Sequence, residues 1–213
     1  VTALPETFAS KDYVDSVFCG VADLTFPQWL EDKCPNGIII GDPSKLEISK
    51  LPYTQRQSLM FPDYYDSKDI SAVTMNRGCS GKCTFCSNSF MWAGRSNFRT
   101  RESIIAELTE LLDVWKIEKH ISVGDETFNE VPKEAMRIAK ILKDFGLNWQ
   151  ACARWNIKKD LLESFIDSGC TEILLGLESG TDKALRYMKK GCNTRLIREK
   201  AKMINSLEIK WHL

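Results

Sequence analysis

Three cysteines stand close together in a glycine-rich stretch, Arg77-Gly78-Cys79-Ser80-Gly81-Lys82-Cys83-Thr84-Phe85-Cys86. Their spacing, Cys-x3-Cys-x2-Cys, allows three thiolates to bind one face of an iron–sulfur cubane, and Gly78 and Gly81 ease the tight turns between them. Three protein ligands leave one iron of a 4Fe–4S cluster open to an exchangeable ligand. The spacing therefore predicts a 4Fe–4S cluster held by Cys79, Cys83 and Cys86.

Two other interpretations of these cysteines stay open at this point: a zinc site, and ordinary packing in a core. Structural zinc sites use four protein ligands as a rule, and the two histidines, His120 and His212, lie far from the cysteines in sequence. Three core cysteines within a few glycine-rich residues would be an unusual coincidence. The remaining cysteines are scattered along the chain, which is typical of small buried residues in a reducing compartment. We therefore expect a cytoplasmic protein.

Charge and composition exclude several functional classes. The 213 residues include 29 Lys+Arg and 29 Asp+Glu, so the formal net charge is zero and bulk electrostatics would not hold the chain on duplex nucleic acid. No apolar run approaches the roughly 20 residues that a bilayer span needs. The start of the chain also lacks a basic and then apolar signal segment. We expect neither a membrane protein nor a secreted one.

From residue 72 onward, predicted strands and helices alternate. The strands fall at 72–75, 121–124, 149–153, 173–176 and from 207 onward, and the helices at 102–115, 132–145, 158–168, 182–190 and 195–205. Four complete βα units without a Rossmann glycine fingerprint favour an α/β fold, a partial parallel (β/α) TIM-like barrel. Because the chain stops inside the fifth strand, we expect the barrel at 72–213 to be incomplete at its C-terminus.

The first part of the chain has a different pattern. Residues 1–42 predict the tail of a Rossmann-like α/β domain, with short strands at 15–20 and 37–41 and a helix at 26–31. Residues 43–71 are rich in turn residues and predict a linker. Since the chain opens on Val1 and not on Met, we expect the N-terminal part of this domain to have been cut away or to lie in sequence not shown.

Polar residues follow the predicted barrel strands, at the end where barrel enzymes carry their chemistry. They are Asp125 and Glu126, which follow Gly124 after the second strand, Arg154 after the third, and Glu178 and Ser179 after the fourth. Carboxylates can accept from an ammonium group, and an arginine can bind a carboxylate with two donors. Solvated loop acids, a surface ion pair and an ordinary turn are the alternatives. The loops together predict one site shared with the cysteines.

The cysteine loop, with the aromatic Phe85 directly before its last cysteine, resembles the signature of radical S-adenosylmethionine enzymes. The resemblance covers residues 72–213 and implies that Cys79, Cys83 and Cys86 hold the cluster while S-adenosylmethionine chelates the open iron. It implies that one electron from the cluster cleaves the sulfonium and releases a 5′-deoxyadenosyl radical. It also implies an electron donor such as flavodoxin or ferredoxin, and a small-molecule or peptide substrate.

The resemblance also implies roles for the other loops. The run Gly124-Asp125-Glu126 departs from the family's Gly-Gly-Glu-like motif, which receives the cofactor's amino group, and resembles a variant of its cobalamin-linked and methylthiotransferase-like branches. The run 176–180 resembles the fourth-strand motif, so Glu178 and Ser179 are implied to contact the ribose or methionyl moiety. Phe85 and Arg154 complete the expected cofactor-binding set, with Arg154 on the cofactor's carboxylate. Two further arginines, Arg99 and Arg101, could bind a substrate anion or cover the barrel rim.

The N-terminal region resembles the end of a cobalamin-binding domain placed before such a barrel. This branch implies cobalamin as a further cofactor and methyl transfer, or related C–H chemistry, on an unknown substrate. A methylthiotransferase-like enzyme is the alternative within the family, but its N-terminal domain normally carries cluster cysteines of its own, and only Cys19 and Cys34 precede the loop. An iron–sulfur or zinc binding module without radical chemistry is the alternative of another class.

Overall fold

The computed structural model describes residues 4–56 and 70–213. Its first part contains helix α1 (Pro5–Ala9), strand β1 (Ser16–Gly20), helix α2 (Thr25–Glu31) and strand β2 (Gly37–Gly41). Strands β1 and β2 pair in parallel. Two short 3-10 turns follow, at Pro43–Lys45 and Ile48–Lys50. Residues 57–69, which fall within the predicted linker, lie outside the described residues.

From residue 70 onward, short strands and helices alternate as the sequence predicts. In chain order they are β3 (Ala72–Val73), β4 (Asn76–Gly78), α3 (Asn88–Met91), β5 (Ser96–Phe98), α4 (Arg101–Asp113), β6 (His120–Val123), α5 (Pro132–Asp144), β7 (Asn148–Ala153), α6 (Lys159–Asp167), β8 (Cys170–Leu175), α7 (Asp182–Tyr187), α8 (Thr194–Asn205) and β9 (Lys210–His212). Strands β3, β6, β7, β8 and β9 form one sheet in that order, and each of their pairings is parallel. This confirms the predicted α/β class, and the carboxyl ends of these strands share one edge of the sheet.

Apolar faces of the helices cover the sheet and form the main core. On α4, the side chains of Ile104, Leu108 and Leu111 are fully buried, as expected for residues three and four apart on one helical face. A cluster of rings fills the centre, where Phe128 lies 4.9 Å from Trp149 and 5.1 Å from Phe165 between ring centroids. Burial of side chains of this size contributes about 1.5–3 kcal/mol each. No helix within residues 4–56 and 70–213 is long and apolar enough to cross a membrane.

The chain departs from the predicted elements after β3. The first barrel strand was predicted at 72–75, but it ends at Val73 because the amides of Met75 and Asn76 donate to the carboxylate of Asp125 at 2.7 and 3.0 Å. Strand β4 then pairs antiparallel with β5 in a small hairpin that the sequence did not predict. The cysteine loop begins directly after β4 and forms the first part of the connection between these two strands.

A second, smaller core lies where the N-terminal part meets the hairpin. Its buried members are Val21, Leu46, Ile48 and Trp92. An ion pair between Arg77 and Asp23 joins the same two parts of the chain. The N-terminal part is therefore anchored directly beside the cysteine loop.

Candidate functional site

The cysteine loop, residues 79–86, follows β4 directly, and its three thiols are half-buried. The sulfur of Cys79 accepts from the amide of Gly81 at 3.3 Å and lies 3.8 Å from Nη1 of Arg154. A Cβ on Gly81 would lie 2.7 Å from the same Nη1, so the guanidinium of Arg154 would have to shift if residue 81 carried a side chain. Hydrogen bonds to sulfur are among the features that tune an iron–sulfur cluster.

The loop after β6 lies along the end of β4 and the start of the cysteine loop, where a carboxylate oxygen of Glu130 lies 3.8 Å from the sulfur of Cys79. Glu126 accepts from the amide of Gly78 at 2.9 Å, and Glu130 accepts from the amide of Ser80 at 3.0 Å. The hydroxyl of Thr127 lies 3.6 Å from the sulfur of Cys79. The backbone at the start of the cysteine loop is thus held by two carboxylates from the neighbouring strand end.

Asp125 lies in different surroundings from Glu126. It is 3% exposed, and its Oδ1 accepts the two amides that end β3. Burial raises the pKa of Asp125 to about 7, against the two backbone hydrogen bonds that lower it. Its Oδ2 is buried and has no hydrogen-bond partner among the described residues. Gly124 is exposed and donates its amide to the carbonyl of Val73 at 2.9 Å.

A buried amide side chain positions Arg154 at the end of β7. Asn129 accepts from the amide of Arg154 at 2.8 Å and donates to the carbonyl of Arg154 at 3.3 Å and to Asn156 at 3.1 Å. The guanidinium of Arg154 then reaches the sulfur of Cys79 on one side and donates to the carbonyl of Lys190 at 3.1 Å on the other. Arg154 therefore bridges the cysteine loop and the segment after α7.

The residues after β8 reach the cysteine loop through Lys190. Glu178, which has a positive φ of 61°, accepts from Nζ of Lys190 at 3.0 Å. The same Nζ lies 5.8 Å from the ring centroid of Phe85, which is 53% exposed. Ser179 accepts from the amide of Thr181 at 3.2 Å, in the turn that begins α7.

The predicted residues thus fall into two groups. In the first group, Arg154 contacts the sulfur of Cys79, and Glu126 binds the amide of the residue before Cys79. Phe85 and Glu178 belong to the same group because both lie beside Lys190. In the second group, Asp125 is buried and Ser179 takes part in a turn, and no hydrogen bond or ion pair of the described residues joins either of them to the cysteine loop. The sequence reasoning assigned no role to Thr127, Asn129, Glu130 and Lys190. The first three fall in or next to a loop it did select, whereas no local pattern distinguishes Lys190.

Arg99, considered above as a ligand for a substrate anion, has a structural role instead. It is buried, pairs with Glu107 and donates to the carbonyl of Thr74 at 3.1 Å. Arg101 is exposed at the start of α4. Within the described ranges, no group of three or more His, Cys, Asp or Glu side chains converges to hold a single metal ion. The cysteines of a cubane bind separate irons, so a cluster does not require that convergence.

The fold and this site define a parallel α/β protein whose cysteine loop lies among polar strand-end residues. The model of the Radical SAM superfamily matches residues 73–212. The chain therefore belongs to the radical SAM superfamily, as the resemblance of its cysteine loop predicted. Membership implies S-adenosylmethionine and a 4Fe–4S cluster.

Two curated relatives carry methyltransferase names. Cytidylyl-2-hydroxyethylphosphonate methyltransferase of Streptomyces wedmorensis is 27% identical over 260 residues, which cover 98% of this chain and 48% of the relative. The uncharacterised methyltransferase PH0819 of Pyrococcus horikoshii is 27% identical over 213 residues, which cover 90% of this chain and 46% of the relative. The chain spans about half the length of the curated relatives it matches.

A solved structure shares the fold. The cobalamin-dependent S-adenosylmethionine radical enzyme OxsB, with aqua-cobalamin and S-adenosylmethionine bound, superposes with a TM-score of 0.56 at 19% sequence identity. The match covers 66% of this chain and 22% of OxsB. At this identity the likeness concerns the fold alone.

Proposed function

We propose that the chain binds a 4Fe–4S cluster through Cys79, Cys83 and Cys86 and serves as the radical-generating core of an enzyme. When bound and reduced, such a cluster supplies one electron that cleaves S-adenosylmethionine to methionine and a 5′-deoxyadenosyl radical. The observation that carries the proposal is that residues from two strand ends, Thr127 after β6 and Arg154 after β7, lie within 3.8 Å of the sulfur of Cys79.

The residues present fit the donor set of such a cluster. The three thiols lie half-buried in one short loop, which matches ligands that keep one side accessible. Gly81 provides an amide for the sulfur of Cys79 and leaves room for Arg154 beside it. An amide donor and a cation close to a sulfur suit the negative charge that thiolate ligands bring.

We assign the remaining polar groups to the cofactor's ends. Glu126 has an accepting carboxylate beside the cysteine loop, which suits the ammonium group, and Arg154 has donors that suit the carboxylate. Phe85 offers a half-exposed aromatic face, and Glu178 with Ser179 offers acceptors for the ribose or methionyl moiety. Gly124 and Asp125 shape the turn that carries Glu126, with Asp125 anchored on the backbone below.

We further propose cobalamin-dependent methyl transfer, or related C–H chemistry, on a small-molecule or peptide substrate, with flavodoxin or ferredoxin as the electron donor. The names of the two methyltransferases and of OxsB support this branch. The parallel pair of β1 and β2 is the pairing that Rossmann-like domains use, which favours residues 1–42 as part of a cobalamin-binding-like domain joined by residues 43–71 to the core at 72–213. A methylthiotransferase remains the alternative within the family.

Cysteine variants test the core of this proposal. After anaerobic reconstitution with iron and sulfide, we expect about four irons per chain and, with dithionite and S-adenosylmethionine, formation of 5′-deoxyadenosine. Cys79→Ala, Cys83→Ala and Cys86→Ala should each lose most of the iron and all of the product. Cys34→Ser, which changes an exposed cysteine of the N-terminal part, is the control and should match the wild type. Equal iron in all four variants would contradict the assignment.

Cobalamin is tested separately. The chain is incubated with hydroxocobalamin and passed through gel filtration, and the corrinoid absorbance of the protein peak is measured. Co-elution supports the cobalamin branch. If the chain binds iron and forms 5′-deoxyadenosine but no corrinoid elutes with it, the proposed radical-generating role is supported and cobalamin binding by this chain is contradicted.

A further inference from the structure

Lys190 has its ammonium group inside the candidate site. Its side chain is only 14% exposed, and Nζ lies 3.0 Å from the carboxylate of Glu178. The ring of Phe85 lies on another side, 5.8 Å away from Nζ to the centroid. A Cβ on Gly176 would lie 2.7 Å from Nζ, so the ammonium rests against the backbone at the end of β8. A cation this far from water needs compensation, which the carboxylate and the ring face supply.

The backbone around Lys190 contacts the other loops of the site. The carbonyl of Lys190 accepts from Arg154 at 3.1 Å, and the carbonyl of Met188 accepts from the amide of Thr84 at 3.0 Å. This segment thus touches the cysteine loop, the loop after β7 and, through the lysine side chain, the loop after β8.

The conformation of the segment explains how Lys190 reaches this position. Helix α7 was predicted to continue to residue 190, but it ends at Tyr187. Lys189 and Gly191 then take positive φ angles of 53° and 76°. A positive φ is unfavourable for a residue with a side chain, and such backbone is held only where its surroundings fix it. The reversal turns Lys190 toward the cysteine loop and leaves Lys189 exposed.

We infer that Lys190 is a positioning residue of the proposed cofactor site, whose ammonium holds the side chains of Glu178 and Phe85 where S-adenosylmethionine binds. The inference rests on the proposed function, because it takes Glu178 and Phe85 as cofactor contacts. Lys190 makes no contact with the cysteine sulfurs in the hydrogen bonds and ion pairs of the described residues. Removal of the ammonium should therefore weaken cofactor binding and leave the cluster in place.

The test compares three variants of the reconstituted chain. Lys190→Met keeps the length of the side chain and the backbone carbonyl but removes the charge. We expect about four irons per chain, an unchanged unfolding temperature, and a dissociation constant for S-adenosylmethionine about tenfold higher, measured from the change in the reduced EPR spectrum. Lys190→Arg keeps the charge and should recover most of the affinity. Lys189→Met, which removes the adjacent exposed ammonium, is the matched control and should bind as the wild type does.

Each other outcome overturns the inference. Equal affinity in Lys190→Met and Lys189→Met would show that the ammonium does not position cofactor contacts. Loss of iron from Lys190→Met would show that Lys190 supports the cysteine loop itself. In both of these cases a wild-type response to S-adenosylmethionine leaves the proposed function intact. A wild-type chain with full iron and no response would overturn the proposed function and this inference together.

Discussion

Asp125 and Glu126 are neighbours in sequence, yet their carboxylates do different things. Glu126 accepts from the amide of Gly78, directly before the cysteine loop, whereas Asp125 is buried and accepts from the two amides that follow β3. The sequence could predict that two acids follow β6. It could not predict which of them is buried, because that depends on where the chain leaves β3 and turns into the hairpin.

The burial of Asp125 predicts a pH dependence of stability. Its folded pKa of about 7 lies above the value of 3.8 for an unperturbed aspartate, so between these values the folded protein holds a proton that the unfolded chain has lost. The stability that this proton contributes is fully present below about pH 4 and is lost as the pH rises through about 7. We expect the free energy of unfolding of the wild type to fall by up to about 4 kcal/mol across this range relative to Asp125→Asn.

Urea unfolding of both proteins at about pH 5 and about pH 8 measures this difference. Asparagine keeps an acceptor for the two amides and carries no charge. The free energy of unfolding of the variant, minus that of the wild type, should therefore be larger at about pH 8 than at about pH 5. An identical change with pH in the two proteins would contradict the burial of a titrating carboxylate at this position.

At the scale of elements, a buried carboxylate holds helix α4 against the strands. Glu107 is 1% exposed and pairs with Arg56 at 2.9 Å and with Arg99. Arg56 also donates to the carbonyl of Ala72 at 2.7 Å, and Arg99 donates to that of Thr74 at 3.1 Å. The network therefore fixes both ends of β3, the strand that leads into the cysteine loop.

Removal of this carboxylate should be costly. Glu107→Ala leaves two arginines buried without their counter-charge, and we expect the free energy of unfolding to fall by about 3–5 kcal/mol. Glu102→Ala, on the exposed first turn of the same helix, should cost less than about 1 kcal/mol. Urea unfolding of both variants at one pH checks the difference. If both variants lost a similarly small free energy of unfolding, the network would not stabilise the packing of α4 on the strands.

The regular elements were predictable, and the connections between them were not. Helices α4, α5 and α6 and strands β6 and β7 have clear periodicity, and the structure has them within a few residues of the predicted bounds. The hairpin of β4 and β5 lacks such a pattern, since Asn76, Arg77 and Asn97 are polar. Arg56 falls in a predicted linker and Arg99 in a loop, and sequence alone gives no sign that either pairs with a buried glutamate.

At the scale of the whole molecule, the site exists because parallel strands bring separate loops to one edge of the sheet. That rule predicted from sequence that these loops lie together, and in the structure polar residues after β6, β7 and β8 all reach the cysteine loop or its neighbours. The rule does not say how the loops hold one another. Asn129 joins two strand ends by its hydrogen bond with Arg154, and Lys190, which follows α7, lies between Glu178 and Phe85. Local sequence patterns do not encode these contacts.

The most direct test of the central claim is the EPR spectrum of the reduced, iron-reconstituted chain, recorded with and without S-adenosylmethionine. We predict about four irons per chain and a signal that changes when S-adenosylmethionine is added, because three cysteine ligands leave one iron open to it. Zinc in place of iron, or a cluster whose signal is the same with and without S-adenosylmethionine, would contradict a radical-generating site in this chain.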